Sequence, residues 1–508
     1  ASNLMENSRR LSVTGAAAVC ILYTVLRVWG LADSCLWFDE IFSIHAAEHD
    51  WAGLFSFVAQ DLIHPPLFYV LLKLWITLGG ENLYWLRLLP VLFAVLSLAP
   101  FYLLCRELKL RTPAISVALL LLAVNGALIK YSQEIRMYSL LLFISLVSIW
   151  LFSRFFYRGK NIWLLSLVNI LLVYTHYFGW FVIAAELSAI FVFQRIKIRH
   201  VLIMLGIDLV AFVPWLWAVW DAARSGADVA QNIGWIEAPG FRSIFDLVLD
   251  LVEPIYFQQS STDASSHLFI TLPLLLIAAG AAIIYAAGSK DRDDGKALVL
   301  MLVLSLVPVL SAFVLSWLFP VSIWGSRHLI IVFAPVSIAF ALLLTDIEAK
   351  AIRYALLGSV FVAATAAFVI KVRTPKPEFI WCAWEKAAPQ ITANGTRELY
   401  VFEDLTAYHL WFATRDLPAA PRIFKVVGID GVVEDKAYFL PRGFDDVARV
   451  NVDEINSPNI TVAFRASVFD ASKPPIRNFI VAGYAIADRT TYEAAGQNAF
   501  VVVLRKGN

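Results

Sequence analysis

The stretch Leu36-Trp37-Phe38-Asp39-Glu40 places two adjacent carboxylates directly after the first long apolar segment of the chain. A carboxylate at the edge of a membrane is costly to keep there, so its first interpretation is functional. Neighbouring side chains diverge, by about 100° on a helix and to opposite faces on a strand. One carboxylate can therefore face a reaction centre while the other holds the loop or a metal ion. The alternative is that both only solvate a loop that leaves the membrane.

The composition of the chain indicates a polytopic membrane protein. Of its 508 residues, 60% are hydrophobic and 16% are charged, whereas a soluble domain is roughly half apolar and a quarter charged. The net charge of +1 gives no sign of a nucleic-acid partner. The four cysteines show no metal-ligand spacing. Cys35 and Cys382 could pair if both lie outside, which the sequence alone supports only weakly.

Eleven transmembrane spans are predicted from the apolar runs and from the charges that flank them. Arg9 and Arg10 precede the first span, and the predicted inner loops hold about twice as many Lys and Arg residues as the outer side, as the positive-inside rule requires. An odd number of spans then puts the C-terminus outside. The predicted spans are 14–32, 83–105, 113–129, 135–153, 162–176, 178–194, 201–220, 268–287, 297–318, 329–345 and 354–371.

Two further segments of the membrane region shape this prediction. Residues 16–31 are mostly apolar and lack a convincing small-residue cleavage site, so they are expected to remain as the first span. Residues 67–78 are apolar but too short to cross, because a span needs about 20 residues. They are predicted to form a helix in the outer interface.

A composition break at residues 373–377 divides the chain into two predicted domains. Residues 1–372 form the membrane module, with a first outer loop at 33–82 and a second large outer loop at 221–267. Residues 376–508 are predicted to form a small soluble α/β domain on the outer face. Its predicted strands include residues 398–402, 422–427, 460–464 and 500–504.

The polar residues that interrupt the apolar pattern gather on the predicted outer side. They are Asp39, Glu40, His64, Glu134, Arg136, His176, Arg327 and His328. Tyr138 follows Glu134 by four residues, so the two would share a face of a helix. Acids suit proton transfer and cations suit an anionic group, so the pattern predicts an outward-facing site at the membrane surface.

Five of these residues also have a simpler interpretation. Glu134 and Arg136 would pair only with each other or cap their loop. His176 would be the polar tip of a tight turn. Arg327 and His328 would anchor the chain in the interface, with the arginine reaching lipid phosphate.

At these residues the chain resembles the GT-C glycosyltransferases. Phe38-Asp39-Glu40 resembles their Asp-Glu signature after the first span. The branch that it resembles most includes protein O-mannosyltransferases, the lipid A aminoarabinose transferase and rhizobial galacturonosyltransferases. Three later segments resemble motifs of that branch, with His328 in place of a tyrosine: His64-Pro65-Pro66-Leu67-Phe68-Tyr69, Gln133-Glu134-Ile135-Arg136-Met137-Tyr138 and Ser326-Arg327-His328-Leu329. The resemblance covers the membrane part, is strongest over about residues 30–140, and is specific only in the combination of motifs.

The resemblance implies an inverting transfer of a sugar from a polyprenyl-phosphate carrier to a lipid, glycan or protein acceptor. The reaction would take place on the outer, periplasmic side of the bacterial cytoplasmic membrane, with membrane lipids as further partners. Asp39 occupies the position of the general base, beside Glu40. The predicted substrate-binding residues are His64, Glu134, Arg136, Tyr138, Arg327 and His328, which lie in these motifs, and His176, which is included for its place on the predicted outer side. A divalent metal is left open, and no other cofactor is predicted.

Two other functions compete with a transferase. A transporter or lipid flippase would need ionisable groups near the membrane midplane and often contains internal repeats. A membrane scaffold that displays the outer domain would need no rim of acids and bases. The position of the polar residues at the outer rim favours the transferase.

Overall fold

The computed structural model describes residues 15, 17–193, 198–255, 268–287, 295–374, 378–429, 440–442 and 444–507. Arg9 and Arg10, and residues 256–267 of the predicted outer loop 221–267, lie outside the described residues.

The chain divides into two compact units. The first contains residues 1–31, 47–226 and 236–374, and the second contains 32–46, 227–235 and 375–508. Part of the predicted first outer loop, including Asp39 and Glu40, therefore groups with the C-terminal region.

The described residues of the first unit form helices joined by turns, which confirms the predicted class of an α-helical polytopic membrane protein. Each of the eleven predicted spans coincides with one helix or with two consecutive helices. Six helical segments of the described chain are long and apolar enough to cross a membrane, so the number of spans stays a prediction. The helices are α1 Ala17–Val28, α2 Phe38–Glu48, α3 Trp51–Asp61, α4 Leu67–Gly79, α5 Leu83–Leu96, α6 Leu98–Glu107, α7 Thr112–Val124, α8 Gly126–Tyr131, α9 Tyr138–Arg158, α10 Ile162–Thr175, α11 Gly179–Val192, α12 Ile198–Arg224, α13 Val229–Ile233, α14 Phe241–Val252, α15 Leu268–Ala287, α16 Gly295–Leu318, α17 Phe333–Thr345 and α18 Lys350–Arg373. A 3₁₀ helix, His328–Val332, precedes α17.

The junction between α3 and α4 is a sharp turn fixed by its backbone. Leu62 adopts a left-handed conformation with φ of 63°, and its N–H donates to the carbonyl of Ala59. Pro65 and Pro66 follow, and α4 begins directly after them, because proline is well tolerated where a helix starts. His64 is held between the turn and the proline pair.

The junction between α7 and α9 is tied to the segment that contains α14. Asn125 caps α8, with its Oδ1 accepting from the N–H of Leu128 at 2.9 Å, while its Nδ2 donates to the carbonyl of Asp250 at 2.9 Å. The N–H of Gly126 donates to the carbonyl of Glu253 at 2.9 Å. Residues 132–137 then turn, and α9 begins at Tyr138 and is buried along nearly its whole length. These contacts hold the turn at the end of the central helix of the unit.

The second unit contains the predicted α/β domain, and this part of the fold prediction is confirmed. Its six-stranded sheet has the order β3-β2-β1-β4-β6-β5, in which β1 pairs in parallel with β2 and β4, and β6 runs antiparallel to β4 and β5. The elements are α19 Ile380–Ala393, β1 Glu398–Val401, α20 Asp404–Thr414, β2 Arg422–Val427, β3 Val447–Asn451, β4 Asn459–Ala466, α21 Ile476–Val481, β5 Tyr484–Tyr492 and β6 Asn498–Lys506.

Alternation along β1 gives the sheet a core on both faces. Leu399 and Val401 pack with Trp384 of α19, whereas Tyr400 belongs to the opposite core with Phe479 of α21. Successive residues of a strand point to opposite faces, so a strand that is buried on both sides must be apolar throughout. The three buried residues of the central strand, Leu399, Tyr400 and Val401, meet this requirement.

We expect a reporter fused after Gly507 to lie outside the cytoplasm, because eleven spans starting from an inner N-terminus end on the outer side. An alkaline phosphatase fusion, which is active only outside, should be active, and a green fluorescent protein fusion, which fluoresces when it matures inside, should be dark. The opposite pair of results would show that the span count is wrong by one. The same reporters placed at Arg158, in a predicted inner loop, are the control.

Candidate active site

A buried acid–imidazole pair lies at the end of α3. The Oδ2 of Asp61, the last residue of the helix, lies 2.6 Å from the Nδ1 of His64. Both side chains are almost entirely buried, with exposed fractions of 11% and 8%. The left-handed turn at Leu62 brings the side chains of Asp61 and His64, which are three residues apart, into contact. Asp61 was not identified from the sequence.

Arg136 completes this pair from the turn before α9. Its Nη2 lies 3.1 Å from the Nε2 of His64, and its Nη1 donates to the hydroxyl of Tyr69 at 3.4 Å. A guanidinium can only donate, so the Nε2 of His64 accepts, and the imidazole proton therefore sits on Nδ1 and is donated to Asp61. We call these three side chains the Asp61–His64–Arg136 network.

A row of three imidazoles extends from this network. The ring centroids of His64 and His176 are 5.7 Å apart, and those of His176 and His328 are 4.9 Å apart. Phe178 contacts both of the last two rings. Gly325 leaves room for His328, because a β-carbon there would come within 3.0 Å of its Nδ1. Segments that are distant in the sequence thus converge on one buried cluster.

The tautomer of His176 follows from its backbone contact. His176 lies in the turn between α10 and α11, where its Nδ1 accepts from the N–H of Phe178 at 3.1 Å. A ring nitrogen that accepts a hydrogen bond carries no proton, so the ring is neutral. Its proton is therefore on Nε2. Among the described residues, this Nε2 and the Nδ1 of His328 are both buried without a hydrogen-bond partner.

Arg327 lies at the start of the same 3₁₀ helix as His328, and its charge acts on His176. The preceding residue, Ser326, hydrogen-bonds the carboxyl of Asp250 on α14. Burial raises the pKa of Asp250 to about 7, against the opposing effect of this hydrogen bond. Asp250 is the second acidic residue of the cluster that the sequence did not reveal.

Glu134 and Tyr138 occupy the edge of the cluster in a different way from the one predicted. The chain turns through residues 132–137, so Glu134 precedes α9 and the two residues do not share a helix face. The Oε1 of Glu134 lies 3.8 Å from the Nζ of Lys130. Tyr138 is fully buried, with its ring 6.2 Å from that of His328 and 5.2 Å from that of Tyr131.

The structure thus brings His64, Arg136, His176, Arg327 and His328 together in the first unit, with Glu134 and Tyr138 beside them. Within the described ranges, no group of three or more His, Cys, Asp or Glu side chains is close enough to hold a metal ion.

Asp39 and Glu40 belong to the second unit, in the first turn of α2. Glu40 is fully buried, and its Oε2 accepts from the N–H of Trp37 at 3.4 Å. A Glu at the third helical position that reaches back to the backbone of the N-cap stabilises the helix start. Asp39 is partly buried. The two carboxylates therefore diverge, as expected for neighbours on a helix.

Comparisons with known proteins identify the fold of the chain. No family model matches the chain, and no curated protein matches it in sequence. ArnT from Cupriavidus metallidurans in the apo state has a TM-score of 0.57 at 12% identity, with 98% of each chain covered. The same protein bound to undecaprenyl phosphate has a TM-score of 0.53 at 13% identity, also with 98% of each chain covered. ArnT is a GT-C glycosyltransferase, and the present chain has the GT-C fold, as the sequence motifs predicted.

We expect Asp61 to make the stability of the protein depend on pH. Burial raises its pKa to about 7, against the opposing charge of Arg136, while an unfolded Asp has a pKa of about 3.9. The folded state then binds the proton more tightly, so the contribution of Asp61 to stability falls as the pH rises from about 4 to about 7. Asp61→Asn cannot titrate, and its amide oxygen can still accept from His64.

The measurement is the thermal unfolding temperature of purified wild type and variant between about pH 5 and pH 8. The unfolding temperature of the Asp61→Asn variant should increase relative to that of the wild type as the pH rises. Asp50→Asn, at the other end of the same helix, is the control, because Asp50 is exposed and caps α3 through an oxygen that the amide retains. Parallel pH curves for wild type and Asp61→Asn would contradict the prediction.

Proposed function

We propose that this protein is a membrane glycosyltransferase that moves a sugar from a polyprenyl-phosphate carrier to an acceptor hydroxyl with inversion. The observation that carries the proposal is the Asp61–His64–Arg136 network together with His176, His328 and Arg327. All of them except His176 lie in or beside the motif segments that resemble GT-C transferases, and the network and both further imidazoles are buried. The GT-C fold shared with ArnT, which has been solved with undecaprenyl phosphate, supports the same carrier class.

The leaving group of this reaction requires the donors that the cluster offers. When the sugar departs, a phosphate diester becomes a monoester, and its negative charge grows. Arginine binds phosphate through two parallel hydrogen bonds, and preorganised donors in a water-poor site act most strongly where charge develops. Arg136 and Arg327 supply the cations in this proposal. The Nε2–H of His176 supplies a neutral donor whose tautomer is already fixed by the backbone.

His64 has a positioning role in the proposal. Its ring joins the guanidinium of Arg136 to the carboxylate of Asp61, so the orientation of the arginine is set before the carrier binds. A preorganised donor loses less free energy on binding than one that must first be ordered. The sugar or the headgroup of the carrier would contact the side chains at the edge of the cluster, which are Glu134, Tyr138, His328 and Asp250.

Asp39 is the proposed general base. The acceptor hydroxyl must lose a proton as it attacks the sugar, and a carboxylate within about 3 Å can accept it. Glu40 is the less suitable of the two carboxylates, because it is fully buried and stabilises the start of α2. The acceptor class stays open among lipid, glycan and protein hydroxyls.

The outer side of the cytoplasmic membrane is the proposed location of the reaction. A disulfide joins Cys35, four residues before Asp39, to Cys382 of the C-terminal domain. Disulfides form and persist in oxidising compartments such as the periplasm and are rare in the cytosol. The bond therefore supports an outward position for both segments.

The proposal is tested by incubating the purified protein with polyprenyl-phosphate sugars and acceptor candidates. Sugar-dependent release of free polyprenyl phosphate is the expected result, and a flippase or scaffold would release none. Asp39→Asn should lower turnover by about 10²–10⁴-fold, because it removes the proton acceptor at constant volume. Asp33→Asn, an exposed carboxylate six residues earlier, should leave turnover near that of the wild type. A folded Asp39→Asn variant with normal turnover would remove Asp39 from the mechanism.

Arg327→Lys distinguishes a phosphate ligand from an interfacial anchor. Lysine keeps the charge but cannot form two parallel hydrogen bonds, so carrier affinity and turnover should each fall by about tenfold or more. An anchor would tolerate the change, because lysine reaches the interface equally well. Arg242→Lys is the control, since the Arg242 side chain is 94% exposed. Carrier affinity is measured with polyprenyl phosphate, and unchanged values in both assays would remove Arg327 from the site.

A further inference from the structure

Two contacts tie the segment before α2 to one helix of the C-terminal domain. Cys35 and Cys382 form a disulfide across a sequence separation of 347 residues, with their Cα atoms 5.2 Å apart. The N–H of Leu36 donates to the Oε1 of Glu385 at 3.0 Å. Cys382 and Glu385 are three residues apart on α19, so they share one face of that helix. The chain that enters α2 is therefore fixed covalently and by its backbone.

A second helix of the domain holds α2 itself. The Nδ1 of His45 lies 2.8 Å from the hydroxyl of Tyr408 on α20, and its ring is 4.9 Å from that of Trp411. The ring of Phe38 is 5.4 Å from that of Tyr408. Phe38 and His45 are seven residues apart, which is about two helical turns, so they lie on the same face of α2.

This docking fixes the rotation of α2 about its axis. Asp39 follows Phe38 and therefore lies about 100° around the helix from the docked face. An isolated helix as short as α2, which has 11 residues, is marginal in water. The order of α2 must come mainly from what it packs against. Its contacts with α20, and those of the segment before it with α19, belong to one compact unit.

We propose that the C-terminal domain is a positioning element of the reaction. It holds α2, the helix that carries the base, through the Cys35–Cys382 disulfide and through the contacts of Phe38 and His45 with α20. This inference rests on the proposed function for the role of Asp39. The positioning residues in this proposal are Cys35, His45, Cys382, Glu385 and Tyr408. The geometry of a general base must be held closely, since a misplacement of about 1 Å can cost about a hundredfold in rate.

The alternative is that the domain serves the acceptor alone. Kinetics separate the two roles. Loss of positioning lowers kcat and leaves carrier affinity unchanged, whereas loss of an acceptor site raises the KM of the acceptor and leaves kcat unchanged. Hydrogen exchange of residues 36–46 gives a readout that does not depend on activity, because a released α2 exchanges faster.

The experiment compares the full-length Cys35→Ser/Cys382→Ser variant with the Cys20→Ser/Cys105→Ser variant. The other two cysteines are free, so the second variant keeps the bridge and is the matched control. We expect the first to lose at least about tenfold in kcat, to bind polyprenyl phosphate within about twofold of the wild type, and to exchange faster over residues 36–46. Tyr408→Phe, which keeps the ring and removes the hydroxyl bonded to His45, should show a smaller loss of the same kind.

Reduction of the folded wild type covers the case in which the double variant fails to fold. A water-soluble phosphine takes one oxygen from water as the disulfide becomes two thiols. The treatment should lower kcat of the wild type and of the Cys20→Ser/Cys105→Ser control, and should leave the bridge-free variant unchanged.

Three results would overturn the inference. The first is the detection by mass spectrometry of free thiols at both Cys35 and Cys382 in the untreated protein. The second is that hydrogen exchange and kcat do not change after the disulfide is removed. The third is a rise in the KM of the acceptor alone. If the wild type released no polyprenyl phosphate, the proposed function would fail, and the exchange measurement would still decide whether the domain holds α2.

Discussion

The cost of burying the charge of Arg136 is the constraint on which the site depends. Arg136 lies in the turn before the central helix α9, and it is 2% exposed. A buried ion without compensation costs several kcal/mol, and the network with His64 and Asp61 provides that compensation through hydrogen bonds. The geometry of the α3–α4 junction follows from this need, because the left-handed turn at Leu62 is what lets Asp61 reach His64. Removing one member would leave another buried and uncompensated, so the three positions depend on one another.

The imidazole between the two charges has a chemical consequence. A carboxylate in direct contact with Arg136 would compete with an incoming phosphate for the same N–H groups. With His64 as a spacer, Asp61 stabilises the cation from one ring away, and the ring must remain neutral with its proton on Nδ1. His176 reaches the same neutral state by another route, because its Nδ1 accepts from the N–H of Phe178. The site thus combines two arginines with a neutral donor, which suits a ligand whose negative charge increases during the reaction.

The sequence predicted what depends on local patterns and missed what depends on turns. Apolar runs located the helices, and alternation located the strands of the C-terminal domain, because burial imposes these periods directly. Asp61 was not predicted because its contact with His64 requires a left-handed backbone at Leu62. Glycine or asparagine would indicate such a conformation, whereas leucine does not. Glu134 and Tyr138 were expected on one helix face, but α9 begins only at Tyr138. The bond between Cys35 and Cys382 was only weakly supported, since 347 residues separate the two cysteines and no local pattern joins them.

The residues proposed for catalysis are therefore held by two different physical means. His64, Arg136 and His176 are fixed by burial and hydrogen bonds in the helical unit, where each contact depends on its neighbours. Asp39 is carried by a short helix whose order comes from a covalent bond and aromatic packing in the α/β unit. Substitutions that share no partner usually act additively, whereas members of one network do not. Changes to the tether and changes to the network should thus combine additively in their effect on stability. Within the network, a second substitution should cost less than the first, because the first has already left its partners uncompensated.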